Sequence, residues 1–324
     1  MAGGSNRALG LQIIDPVLTN VARQYRAHGF IYEQLVARQA VAQMTGQYPT
    51  FPKQYWYSEA TNNEVKDRSP SREVDFTWST EPFSVKEYAL KVSITDLERE
   101  QANPALRLEQ NKTDFLSLQM AIAKESRLAT LLDDPAVVTG GGLTSGASTA
   151  ATKKWDGTEG NPDSDIRAAS LKVYEAIGYN PNVIVIPYPI AYYMATQHNT
   201  DSFGGRIQYS VTPQTALEGV TLLPNVIHGM KVIIPSGVQG TTANEGASSV
   251  TYTETWGKKV RLLYVEPGAG WGTPTCAYAF QHTGPTVTRW RQQDPDIDYI
   301  RQSERVIEKI VAPDAGWVIK EVIA

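Results

Sequence analysis

The chain has 324 residues, a formal charge of −4, 41% hydrophobic and 20% charged residues, and a single cysteine. No window approaches eighteen uninterrupted apolar residues, so a membrane-crossing helix is not expected. An acid excess argues against a dedicated nucleic-acid binder, and the lone Cys276 excludes an intramolecular disulfide and fits a reducing compartment. Length allows about two domains, whose stability must come from packing or association.

Residues 1–45 carry only loose helical spacing (Val17, Val21, Tyr25, then Ile31, Leu35, Val36), broken by Pro16 and Gly29. They read as an arm with a short helix and no strong core of its own. Residues 46–95 read as a long hairpin with flanking strands. Val74, Phe76 and Trp78 alternate with Asp75 and Thr77, and Tyr88, Leu90, Val92 and Ile94 repeat the pattern. A period of two defines a strand with one apolar and one wet face. Tyr48, Phe51, Tyr55, Trp56 and Tyr57 supply the aromatic partner strand, and Ser58 to Arg72 is a polar turn region. A two-stranded hairpin cannot bury such a face by itself. A second copy of the chain is the nearest thing that could cover it, through Tyr55, Trp56, Tyr57, Val74, Phe76 and Trp78.

Residues 96–139 read as helix. Thr95 or Asp96 caps a short turn, Asn103-Pro104 interrupts it, and an apolar stripe then runs through Leu108, Phe115, Leu118, Ile122, Ala129 and Leu132, widened by Leu116, Met120, Leu128 and Leu131. Gln110, Lys112, Lys124 and Arg127 are expected on the opposite face. Asp133-Asp134-Pro135 stops the helix, after about six turns if it begins near Asn111. Phe115, Leu118, Ile122, Ala129 and Leu132 are its predicted packing residues.

Residues 140–285 begin with a Gly/Ser/Thr/Ala linker, where a domain boundary is placed. An amphipathic helix follows near 163–178, with Gly178 at the C-cap position. Val183 to Ile186, Met230 to Ile234, Val250 to Trp256, Val260 to Val265 and Cys276 to Phe280 read as strands, giving an α+β domain. Residues 286–324 return to strand around Pro313-Asp314-Ala315-Gly316 and are expected to pack beside the long helix, leaving the α+β domain as an insertion.

Catalytic motifs fail one by one. Gly141 and Gly146 have phosphate-loop spacing, but Ala147 stands where lysine is needed. The four histidines (His28, His198, His228, His282) are scattered, and Cys276 sits in an apparent strand as a small buried thiol. Asp294, Asp296 and Asp298 lack the glycine and distal glutamate of a calcium loop and read as a solvated turn. Arg289-Trp290-Arg291 reads as strand surface rather than a base-stacking platform. No catalytic residue, cofactor or metal is expected.

The order of these parts resembles the tailed-bacteriophage major capsid proteins of the HK-ninety-seven-like fold. Asp114 to Leu132 is similar to their spine helix, Ala176 to Val185 to their helix-to-strand junction, and Gly229 to Ile233 to a central strand. The resemblance implies an N-arm (1–45), an E-loop hairpin with flanking strands (46–95), a P-domain spine helix (96–139), an A-domain (140–285, with an adjoining P-domain helix near 163–178) and P-domain return strands (286–324). It further implies homo-hexamers and homo-pentamers closing an icosahedral head around double-stranded DNA, which is held by non-specific contact. A portal, a scaffolding protein and a decoration or cement protein are the implied partners, no membrane is involved, and assembly would take place in the host cytoplasm. Many family members begin with a scaffolding segment that is cleaved away; Met1 leads directly into the arm, so a separate scaffolding protein, or none, is expected. Lys53 and Lys66 lie in or near the E-loop without an identifiable acid and asparagine, and no covalent crosslink is expected. An encapsulin-like nanocompartment shell is the alternative of the same fold. A soluble α+β enzyme is the alternative of another class, and the exposed aromatic hairpin weighs against it.

Overall fold

The computed structural model describes residues 13–24, 29–50, 64, 78–101, 107–134, 148–150, 154–156, 161–197, 223–235, 239–240, 252–266, 268–270, 275–294, 296–320 and 322–323. The elements run β1 (Ile13–Ile14), α1 (Pro16–Gln24), α2 (Tyr32–Leu35), β2 (Ala37–Ala40), β3 (Thr45–Thr50), β4 (Ser79–Ser84), β5 (Lys86–Thr95), α3 (Asp96–Gln101) and α4 (Leu108–Asp133). They continue with β6 (Ser148–Ala150), α5 (Pro162–Ile177), β7 (Val183–Val185), α6 (Tyr188–Gln197), β8 (Val226–Ile227), β9 (Met230–Ile233), β10 (Gln239–Gly240) and β11 (Thr253–Glu254). The last are β12 (Val260–Leu263), β13 (Ala277–Gln293), β14 (Asp296–Ile310), a 3₁₀ turn (Pro313–Ala315) and β15 (Gly316–Lys320).

Two sheets carry the fold. The long-strand sheet has the order β1-β13-β14-β5, with β2 running parallel to β13. Its centre is the antiparallel pair β13–β14, and Ala277 stands opposite Ile310 at one end and Gln293 opposite Asp296 at the other. The central sheet has the order β6-β15-β12-β7-β9-β8. Its strands are short, and those at its centre, β7 and β12, are buried on both faces, as expected of strands covered on both sides. Ile184, Ile186, Leu262 and Ile319 meet Ile166, Ala169 and Val173 of α5 and Ile190, Ala191 and Met194 of α6. Val183, Val185, Leu263 and Val318 point the other way, into a core shared with Leu128, Ala129 and Leu132 of α4.

Local chemistry accounts for several helix ends. Asp15 caps α1 by accepting from Val17 and Leu18 N–H at 2.9 and 3.0 Å. Thr95 and Glu98 form a reciprocal capping box at the head of α3, each bond 3.2 Å. Asn161 caps α5 through Ser164 N–H, and Gly178 closes it at φ 77° with its N–H on the Tyr174 carbonyl.

The tertiary structure refines these expectations. The arm joins the main core: Ile31, Tyr32, Leu35 and Val36 lie in the same buried cluster as the end of α4. Strand β5, one of the flanking strands, pairs with β14 and turns Ile94 and Val92 inward beneath the long helix and Tyr88 against the main core. Upstream of β5, β3 pairs with β4, Thr45 opposite Ser84 and Thr50 opposite Ser79. The return strands split: β13 and β14 join α4, whereas β15 enters the central sheet between β6 and β12. Helix α5 packs on that central sheet, and its last residue, Ile177, also reaches the core shared with α4.

Candidate assembly surface

The hairpin base is anchored by aromatic contact. Phe83 stacks on Phe280 with ring centroids 4.6 Å apart, and Tyr48 tilts over the same ring at 5.4 Å. The Tyr48 hydroxyl donates to Glu81 at 2.5 Å, and burial together with this carboxylate pushes its pKa up. Gly46 is needed where it stands, since a Cβ there would lie 2.8 Å from the Phe83 ring. Trp78, just before β4, is 56% exposed. Tyr55, Trp56, Tyr57, Val74 and Phe76 lie outside the described residues.

The long helix differs from its expected pattern. Ala129 and Leu132 are buried, and Leu118 and Ile122 are half-buried. Phe115 is 54% exposed and so is no internal packing residue. The face toward the sheet is Thr113, Leu116, Ser117, Met120, Leu128 and Leu132, one position round from the expected stripe in its first half. Lys124 and Arg127 do not face solvent opposite the core. They reach β14, where Lys124 Nζ lies 2.6 Å from Glu304 and Arg127 Nη2 lies 3.0 Å from Glu308. Ser117 donates to Gln302 at 2.9 Å, and the Tyr32 hydroxyl donates to Glu308 at 3.2 Å. Asp298 is buried, not in a solvated turn. Burial pushes its carboxyl up, but hydrogen bonds from Arg99 and Arg289 outweigh that and hold it below the ordinary range.

At its far end the helix grips the central sheet. Arg261 of β12, wholly buried, makes a bidentate pair with Asp133 (2.8 Å from Nη2 to each oxygen), and its Nη1 donates to the carbonyls of Trp256 and Lys259. Lys259 adds a 2.9 Å bond to Asp133. Two turns earlier, Glu125 accepts from the backbone N–H of Ile31 and Tyr32 at 2.6 Å each and from the Trp256 indole at 3.0 Å. Burial raises the Glu125 pKa against the lowering effect of those three donors. One carboxylate therefore ties the arm, the long helix and a loop of the central domain together.

Sequence reading missed Ser117, Glu125, Lys124 and Arg127 as contacts. A signal was present: Gln302, Glu304 and Glu308 share one phase of β14, the phase that also holds Ile300, Val306 and Ile310.

These residues are structural in their chemistry. Cys276 is fully buried, and burial pushes its thiol up to about 12, so it is no nucleophile at neutral pH. His228 Nε2 sits 2.7 Å from Asp163, and His282 contacts Thr283; His28 and His198 lie outside the described residues. Trp290 stacks on Tyr299 at 5.3 Å, while Arg289 and Arg291 are consumed by Glu109, Asp298, Asp96 and Asp296.

The long helix is braced against two sheets, and the base of the hairpin is anchored on Phe280 and carries the exposed Trp78. Residues 79–296 match the family model described as phage capsid protein, and the chain belongs to that family. It is 24% identical over 314 residues to the major capsid protein of Burkholderia phage BcepMu, covering 95% of this chain and 96% of that one. It also superposes on a phage-related protein from Bordetella bronchiseptica RB50 (TM-score 0.69, 20% identity, 96% and 98% of the two chains). The mature capsid of bacteriophage PhiM1 gives a TM-score of 0.53 at 10% identity, over 91% and 87% of the chains. The fold is the α+β fold of tailed-phage major capsid proteins.

Proposed function

We propose that this chain is the major capsid protein of a tailed phage, forming homo-hexamers and homo-pentamers that close an icosahedral head around double-stranded DNA. Membership of the capsid family is the observation that carries this reading. The exposed Trp78 and Phe115 support it, because large apolar side chains half in water beside the β3–β4 hairpin and on a long helix fit burial in a copy of the same protein. In this reading β3–β4 is the base of the E-loop, and Tyr55, Trp56, Tyr57, Val74, Phe76 and Trp78 contact a neighbour's P-domain. Helix α4 is the spine. A scaffolding protein, a portal and a decoration protein would join the assembly, which would proceed in the host cytoplasm. The role is structural, without catalysis.

Sedimentation velocity and negative-stain microscopy of the chain, alone and with scaffold and portal, test the proposal. Closed shells or free hexamers and pentamers are expected; a monomer under every one of these conditions overturns it. Trp78→Asp should leave a folded, soluble subunit that closes no shells. Unfolding of that variant would place the hairpin in an internal core instead.

A further inference from the structure

Strand β5 ends the long-strand sheet beyond β14, and among the described residues no strand pairs with its outer edge. The direction of its backbone groups is fixed by its closed ends. Val85 N–H donates to the Met44 carbonyl at 2.7 Å, the Ser93 carbonyl accepts from Lys112 Nζ at 2.7 Å, and Thr95 N–H donates to Glu98 at 3.2 Å. Successive residues of a strand turn their N–H and C=O to opposite sides, so the odd-numbered residues from 85 to 95 turn theirs away from β14. Closed at Val85 and again at Ser93 and Thr95, the edge stands open at Glu87, Ala89 and Lys91, all of them exposed.

An unpaired edge is a template for another strand, and lysines, prolines or bulges ordinarily blunt it. This window instead carries one charge of each sign, equally spaced about Ala89. Glu87 accepts from Arg305 Nε and Nη2 at 3.1 Å each and from Arg301 at 2.5 Å, and those bonds hold its carboxyl below the ordinary range. Its side chain is still 34% exposed, which leaves room for a further cation. Lys91 lies over the Tyr299 ring at 5.0 Å and makes no ion pair among the described residues. On the other phase of the strand Leu90 is 40% exposed, beside the half-buried Tyr88.

From this window we infer that two copies of the chain join edge to edge through β5, antiparallel, about a twofold axis at Ala89. The second copy is the occupant because the window is complementary to itself. In a twofold contact, if residue i meets residue j then j meets i. With Ala89 on the axis, Glu87 stands opposite the partner's Lys91, and Lys91 opposite the partner's Glu87. The open backbone groups then face one another and exchange about six N–H···O=C bonds. On the other phase Leu90 comes under the partner's Tyr88. Registers centred on Glu87 or on Lys91 would set like charges opposite, which is destabilising. The two β14 strands would lie three strand spacings apart, about 14 Å, and helices pack side by side at about 8–10 Å, so both α4 helices fit on the same face. That the pair lies between neighbouring hexamers or pentamers of a shell rests on the proposed head-shell function.

The test is disulfide trapping of the full chain, both as unassembled subunits and as assembled particles. Directly opposite, hydrogen-bonded residues have Cα atoms about 5.5 Å apart, within disulfide reach. Ala89→Cys should therefore link copy to copy under mild oxidation. Lys91→Cys should not, because the two copies of residue 91 would lie about 14 Å apart. The native Cys276 is fully buried and does not compete. Lys91→Glu and Glu87→Lys, each alone, should weaken pairing of subunits at least about tenfold in sedimentation equilibrium. Mixing those two variants should restore it, a gain that misfolding cannot imitate. Absence of the Ala89→Cys link from both subunits and particles, or an equal yield of links from Lys91→Cys, overturns the inference. Microscopy of the same preparations separates the two proposals. Normal shells without the link remove only the edge pairing, whereas linked pairs from a chain that never forms shells remove only the head-shell reading.

Discussion

Two helix–sheet interfaces in this molecule are built on opposite principles. Helices α5 and α6 rest on the central sheet through side chains that are almost wholly apolar: Val173, Ile184, Ile190, Met194, Leu262. The long helix α4 adds to its apolar contacts through Leu116, Leu128 and Ala129 a row of polar rungs on its sheet, Ser117–Gln302, Lys124–Glu304 and Arg127–Glu308. Apolar burial stabilises without direction, at about 25 cal/mol per Å². Buried ion pairs contribute little net stability because desolvation offsets attraction, yet they select one alignment over its neighbours. The first interface thus sets how firmly the central domain holds together, and the second sets where a 26-residue helix sits along a 15-residue strand.

Four measurements can break or sharpen that contrast, each by urea unfolding of unassembled subunits. The largest effect is expected where the two systems meet. Asp133→Ala leaves the buried Arg261 without its carboxylate and should cost about 4 kcal/mol; a loss below about 1 kcal/mol would mean the guanidinium finds water or another acceptor. Leu262→Ala, in the apolar interface, should cost about 3 kcal/mol through lost transfer energy and the cavity left behind.

Glu125→Gln comes next, at about 1–2 kcal/mol for the lost indole bond, with a characteristic pH dependence. The folded-state pKa of Glu125 is raised by burial, so in the window from the ordinary 4.5 up to that raised value the native state holds a proton that the unfolded state has released. Wild-type stability must therefore fall relative to Glu125→Gln as pH rises through this window. Asp298 has the opposite sign, since its lowered pKa contributes stability that is lost as pH falls below 3.8. Parallel pH curves for wild type and Glu125→Gln would show that the carboxylate is not desolvated.

The smallest effect is the sharpest test. Lys124→Met/Glu304→Leu removes a whole polar rung and should leave stability within about 1 kcal/mol of wild type, because an apolar pair of similar volume replaces two desolvated charges. One oxygen of Glu304 is buried with no hydrogen-bond partner, which makes that replacement easier still. A loss comparable to that of Leu262→Ala would abolish the distinction between the two interfaces.

The contrast also explains what could be read from sequence. Elements with local causes were legible: the end of α4 at Asp133-Asp134-Pro135, Gly178 closing α5, the Thr95 cap, and the buried strand at Val183. Apolar surfaces were legible too, so Ala129 and Leu132 came out on the buried side. The polar interface was not, because Lys124 and Arg127 are indistinguishable from solvent-facing cations until β14, some 180 residues later, supplies Glu304 and Glu308. The same distance hid the partner of β5, the burial of Asp298 and the destination of β15. Phe115 misled for a related reason: it kept helical spacing with the stripe and yet lies on the exposed side of the helix.

The position of β15 has a consequence for the timing of folding. It lies second from the edge of the central sheet, pairing with β12 on one side and the edge strand β6 on the other, and Trp317, Val318 and Ile319 are buried there. A nascent chain that has emerged only as far as β14 can complete the β13–β14 ribbon, but its other sheet stays split into two unjoined parts. Contacts of such long sequence separation form late. A subunit whose synthesis stops before β15 therefore lacks the strand that joins β6 to the rest of the central sheet.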